Sequence, residues 1–288
     1  MPRFTRFACF DWSGADTARP PGIALAVADR KGPPRLVPRP GGWSRADALA
    51  WLQDLAAADE PVLIGLDLSP GFPFADAGAY FPGWSDSPPD AHALWALVEQ
   101  LSETDPHFSV TGFLAHAEVA RHFRQHGGRQ GDRFGTGRGR LRVCEAAQLG
   151  TLSPSSCLNL VGAAQVGKSS LTGMRVLHRL RGAIPVWPFD PVPATGPVLV
   201  EIYTTLAARA AGVRRGRSKL RDAPALEAAL ATLGSAPTAP LARYDDHRTD
   251  ALLTAAWLRV HADRPELWRP PALTPGLAAT EGWTFGVL

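Results

Sequence analysis

Six residues of this chain have the types and placing for acid or metal chemistry: Asp11, Asp67, Glu201, Asp246, His247 and Asp250. Asp11 closes the apolar run 7–10 and is followed by Trp12-Ser13-Gly14. Asp67 closes the run 62–66 and is followed by Leu68-Ser69-Pro70, and Glu201 closes the run 198–200. A carboxylate at the C-terminal mouth of a buried strand is expensive unless something pairs with it. In open α/β sheets that mouth is also where ligands bind. Asp246, His247 and Asp250 open a stretch that reads as a helix, and spacings of three and four put them on one face. Singly, each acid has an ordinary explanation, as a turn residue leaving a strand or as an acid favoured by the helix dipole. Converging, they would repel one another unless a cation neutralised them. Oxygen ligation suits Mg²⁺ or Mn²⁺, and His247 would bias a site toward Mn²⁺.

The elements that must position these residues can be read in order. Residues 3–10 and 22–28 are strands, and 35–37 is a short third strand weakened by prolines. Their short links favour an antiparallel meander. Ser44, with Asp47 three residues on, caps a helix, and residues 61–66 form an apolar strand. A helical crossover returns that strand parallel to the first and beside it, which brings Asp11 and Asp67 to neighbouring strand ends roughly 4.8 Å apart. Residues 91–101, 204–211 and 223–233 read as helices. The expected architecture is one α/β domain over 1–288 with a mixed five-stranded sheet, interrupted by an irregular insertion over 72–197.

At 288 residues with a net charge of +3, composition is that of an ordinary globular chain. No apolar run approaches a membrane span and no basic-plus-apolar leader opens the chain, so a cytoplasmic protein without membrane partners is expected. Cys9, Cys144 and Cys157 are odd in number and lack CxxC spacing, which points to buried free thiols.

Charge is less evenly spread than its sum. A glycine-rich basic tract spans 121–142 and includes Arg129, Arg133, Arg138 and Arg140, and a second cluster near 214–221 includes Lys219. Such a tract suits sequence-independent contact with nucleic-acid phosphates; a solvated surface loop has the same composition. Residues 162–169 match the Walker A pattern, in which Lys168 would reach a phosphate. The flanking strand, 158–161, is short and contains Asn159. Gly173 interrupts the following helix, and Glu201 stands where Walker B has Asp.

With those residues assembled, the chain resembles a domain-of-unknown-function family of predicted nucleases with the RNase H fold. The resemblance rests on Phe10-Asp11-Trp12-Ser13-Gly14, Gly65-Leu66-Asp67-Leu68-Ser69-Pro70, Val200-Glu201-Ile202-Tyr203, and Asp245-Asp246 with Thr249-Asp250-Ala251. The family also carries a loop similar to Gln165-Val166-Gly167, which makes the Walker match a by-product of that loop. The last helix is similar to that of Holliday-junction resolvases of the same fold, where a His or Asp precedes the final Asp by one turn. This chain departs from the resolvases in having Asp67 where they have Glu. The resemblance implies a metal-dependent nuclease in which Asp11 bridges two ions and Asp67 and Asp250 complete the sites. Glu201 would be a ligand or orient water, and Lys168 would hold a phosphate. The rival readings are a P-loop-type NTPase centred on Lys168 and a non-catalytic nucleic-acid-binding relative.

Overall fold

The computed structural model describes residues 3–161, 166–213 and 220–288. Strands β1 (Arg6–Asp11), β2 (Ala24–Asp29) and β3 (Arg35–Leu36) form the expected antiparallel meander, with Asp11 opposite Ala24. Helix α1 (Arg45–Ala58) starts at a capping box in which the Asp47 amide donates to Ser44 Oγ (3.0 Å) and the Ser44 amide to Asp47 Oδ2 (3.1 Å). β4 (Val62–Leu66) then lies parallel to β1, with Phe10 facing Leu66.

Between β4 and β6 (Val198–Glu201) come α2 (Ala91–Leu101), α3 (Thr111–Ala115), α4 (Ala117–Ala120), α5 (Val143–Ala146), α6 (Val166–Leu180) and β5 (Val186–Trp187). After β6 follow α7 (Thr204–Ala210), α8 (Ala223–Thr232), α9 (Asp246–His261), α10 (Pro265–Trp268) and α11 (Pro275–Ala279). The sheet has six strands in the order β3-β2-β1-β4-β6-β5; β2 runs antiparallel to its neighbours, and β1, β4, β6 and β5 are parallel. The sequence led us to expect five. The sixth, β5, is two residues long between Pro185 and Pro188, too short for any periodicity to show. It is fixed by pairing with Leu199 and Val200 of β6 and by Asp190, which bonds both backbone groups of Val186.

Both faces of the sheet are covered, which is why its strands read as near-continuous apolar runs. Phe7, Cys9, Ala26, Leu63 and Val200 point into a core with Ala251, Leu252, Ala255 and Leu258 of α9, which lies across β1 and β2. Alternate residues Ala8, Phe10, Leu25, Ile64 and Leu66 share the other core with Leu52 of α1 and Leu171 and Met174 of α6. Gly173 belongs in α6 because a Cβ there would collide with Leu68. Residues 158–161, expected as a strand, form none; Asn159 makes one isolated bridge to Arg124. The three cysteines are buried and free. Among the described residues no helix is long and apolar enough to cross a membrane.

Candidate functional site

The acids of β1 and β4 emerge side by side. The Asp67 amide donates to the Phe10 carbonyl (3.0 Å), so the register of the parallel pair runs to the base of both carboxylates. Asp11 is 5 % exposed, and Asp67 is half-buried. α9 crosses the ends of β1 and β2 and lowers its first turn onto them, where His247 Nδ1 lies 2.8 Å from Asp11 Oδ1. Asp250 follows one turn on. Burial raises the Asp67 carboxyl well above the ordinary range, and the charges of Asp11 and then Asp250 push it further; the Thr204 amide at the start of α7 opposes them. The Cys9 thiol is raised by burial and then by the charges of the same three acids. His247 is raised by its bond to Asp11.

The other predicted ligands lie differently. Asp246 Oδ1 pairs with Arg221 at 3.0 Å and, with His247, lines a hollow bordered by Arg19 and Arg243. Glu201 sits at the end of β6, paired with Leu66, but its carboxylate is committed: Arg142 donates to it twice (2.7 and 2.5 Å) and Thr284 Oγ1 once (2.8 Å). Arg142, 1 % exposed, also binds Glu145 Oε1 (2.9 Å), Ser69 Oγ (3.1 Å) and the Glu281 carbonyl (3.0 Å). A guanidinium this deep is held by carboxylates on two sides, and together they lock the loop before α5 onto the ends of β4 and β6. Among the described residues no group of three His, Cys, Asp or Glu side chains is gathered tightly enough to form a ready metal cage.

Asp67 and Glu201 open onto a cleft of about 490 Å³, whose walls include Trp12, Gly14, Ser69, Arg142, Gln148, Lys168, Ser169 and Tyr203. Gly14 is the contact between the two halves of the wall. A Cβ there would stand 2.5 Å from Lys168 Cβ and from the Ser169 amide, so only glycine lets the β1 loop lie against the start of α6. Ser170 Oγ completes the seam by accepting the Ser69 amide (3.0 Å). Lys168 thus reaches the acid end of the sheet without the strand that precedes a P-loop; Gly162 to Gln165 lie outside the described residues.

Of the arginines assigned to substrate, Arg140 is structural. It grips Asp76 with two bonds (2.8 and 2.5 Å) and binds the carbonyls of Tyr80 (2.8 Å) and Ala79 (2.9 Å). Arg133 donates to the Pro82 carbonyl, and Arg121, also in the tract, pairs with Asp132 and Glu118. Arg129 and Arg138 face solvent, and Lys219 lies outside the described residues. Sequence reading missed Arg142, Glu145, Gln148 and Thr284 as parts of the site. The one signal was the spacing of three between Arg142 and Glu145, hidden inside a run of surface arginines.

The described residues therefore define a mixed α/β protein with converging carboxylates at the C-terminal edge of its sheet and a cleft beside them. Comparison with protein-family models, with curated proteins and with solved structures found no match.

Proposed function

We propose that this chain is a metal-dependent phosphodiesterase acting on nucleic acid, built on an RNase H-like core. The observation that carries the reading is that Asp11 and Asp67 leave two adjacent parallel strands side by side, with Asp250 in the first turns of the helix packed across them. The order β3-β2-β1-β4, with β2 antiparallel and a late helix over β1 and β2, supports the fold assignment.

The donor set fits a hard divalent cation, Mg²⁺ or Mn²⁺: three carboxylates whose mutual repulsion a cation would relieve. Asp11, Asp67 and Asp250 would hold it, and drawing them into a cage is part of binding. Such an ion lowers the pKa of a bound water and stabilises charge on a phosphoryl oxygen. His247 orients Asp11 through the 2.8 Å contact, and Arg142 keeps Glu201 from joining the ligands. Lys168, in the lining of the same cleft as Asp67, would neutralise a phosphate.

Millimolar Mn²⁺ should raise the melting temperature, since a ligand that binds only the folded state stabilises it. Asp11→Asn should lose most of that shift and any cleavage of single-stranded, duplex or branched substrates. Asp29→Asn, at the far end of the sheet, should keep both. No Mn²⁺ response in the wild type, with Asp11→Asn merely destabilised, would make Asp11 a structural turn residue and end the hydrolase reading.

A further inference from the structure

The cleft beside Asp67 has its own chemistry. Its volume of about 490 Å³ is that of a small-ligand pocket, in the range of roughly 300–1,000 Å³. Its lining includes Asp67, Lys168, Ser169, Trp12 and Gln148. Gln148 is 6 % exposed, and its amide orientation is fixed because Nε2 donates to the Cys144 carbonyl (2.8 Å), which can only accept. Its Oε1 is buried and has no hydrogen-bond partner among the described residues. A buried acceptor left unpaired is costly and rare, and at the wall of a cavity it calls for a donor from whatever fills that cavity. A cation, an aromatic side chain and a spare acceptor in one lining suit a phosphate, a ring and an N–H or O–H group. Those are the parts of one nucleotide.

We infer that this cleft seats a single unstacked nucleotide of a strand, its phosphate against Lys168 next to Asp67 and its base or sugar donating to Gln148 Oε1. The inference rests on the nucleic-acid reading above and narrows it: a stacked duplex cannot enter a cavity of this size, so the substrate is single-stranded or offers a nucleotide out of the stack. The basic tract agrees, since Arg121, Arg133, Arg140 and Arg142 are spent on internal bonds rather than arrayed along a duplex.

The test is equilibrium binding in EDTA, so that no divalent ion and no cleavage enters. The probes are a single-stranded octanucleotide (as DNA and as RNA), the blunt duplex of the same sequence, and adenosine monophosphate. The wild type should prefer the single strand to the duplex. Lys168→Ala should weaken the strand by roughly tenfold or more, as expected for a lost charged contact, and Gln148→Leu by roughly fivefold. Thermal melting of both variants shows whether they fold. If Gln148→Leu is unfolded, Gln148→Asn, which shortens the side chain but keeps its amide, takes its place and should weaken the strand by a similar factor. Equal affinity for duplex and single strand, binding of the mononucleotide but not the strand, or folded variants that bind as wild type would each overturn the inference. Because this binding is read without metal, it survives a failure of the Mn²⁺ test, and its own failure leaves that test untouched.

Discussion

Arg142→Met is the substitution with the most calculable outcome. The wild-type side chain is 1 % exposed and makes five hydrogen bonds, three of them to the carboxylates of Glu145 and Glu201. Methionine of similar length fills the space but leaves two buried carboxylates facing each other. Breaking a buried ion pair from one side costs about 3–5 kcal/mol. The loss has a ceiling, because a stranded carboxylate can take up a proton: at pH 7 that costs about 2.7 units at 1.36 kcal/mol each, roughly 3.7 kcal/mol. Glu145, already raised by burial, is the first to do so. For a chain of this size the deficit lowers Tm by roughly 6–15 °C. It should shrink by about 1.4 kcal/mol per unit as pH falls from 7 toward 5, since protonation then becomes cheaper. Adding Glu201→Gln should return about 1–3 kcal/mol, a coupling expected of residues in one network. Urea melts of the wild type, both single variants and the double at pH 7 and pH 5 give these quantities. A pH-independent deficit below about 1 kcal/mol would falsify the buried-charge argument and reopen Glu201 as a ligand in waiting.

Two further outcomes follow from the same coordinates. His122 is buried against Phe81 with neither ring nitrogen bonded among the described residues, and burial first, then Arg133, Arg140 and Arg121, hold its pKa down to about 4. Its folded value is below its unfolded one, so its contribution is full above about 6.5, declines as pH falls, and is exhausted below about 4. His122→Leu loses no hydrogen bond and should flatten that part of the acid melting profile; an unchanged profile refutes the assignment. Within the basic tract, Arg140→Ala should lower Tm, whereas Arg129→Ala with Arg138→Ala should leave Tm alone. That pair should reduce the log–log salt slope of single-strand binding by up to about 1.4, or about 0.7 per phosphate contact. Equal effects of the two changes on stability would contradict the bonding described for Arg140.

How much of this could be read from the chain depends on the range of each interaction. Asp11 and Asp67 were legible because an acid after an unbroken apolar run is a local signal, and the crossover rule then sets the two strands side by side. The first turn of α9 was legible through its spacing. Glu201 looked the same as the other strand-end acids, and only its distance from Arg142, 59 residues away in sequence, distinguishes a bound carboxylate from an available one. The arginines at 133, 140 and 142 carried the composition of a surface loop because charge in a sequence does not say whether it is solvated or buried. The Walker pattern gave no hint that Gly173 makes room for Leu68, and the cleft itself had no sequence signature at all.

The contact between His247 and Asp11 joins residues 236 apart. At roughly 5–20 residues per second, a ribosome takes about 12–47 s to travel from one to the other. Throughout that interval β1 and β2 have no α9 to cover them, and the acids have no third member. Until α9 emerges, that face of the sheet stays bare. A chain cut short before α9 would lose both the cover over that face of the sheet and the contact between His247 and Asp11.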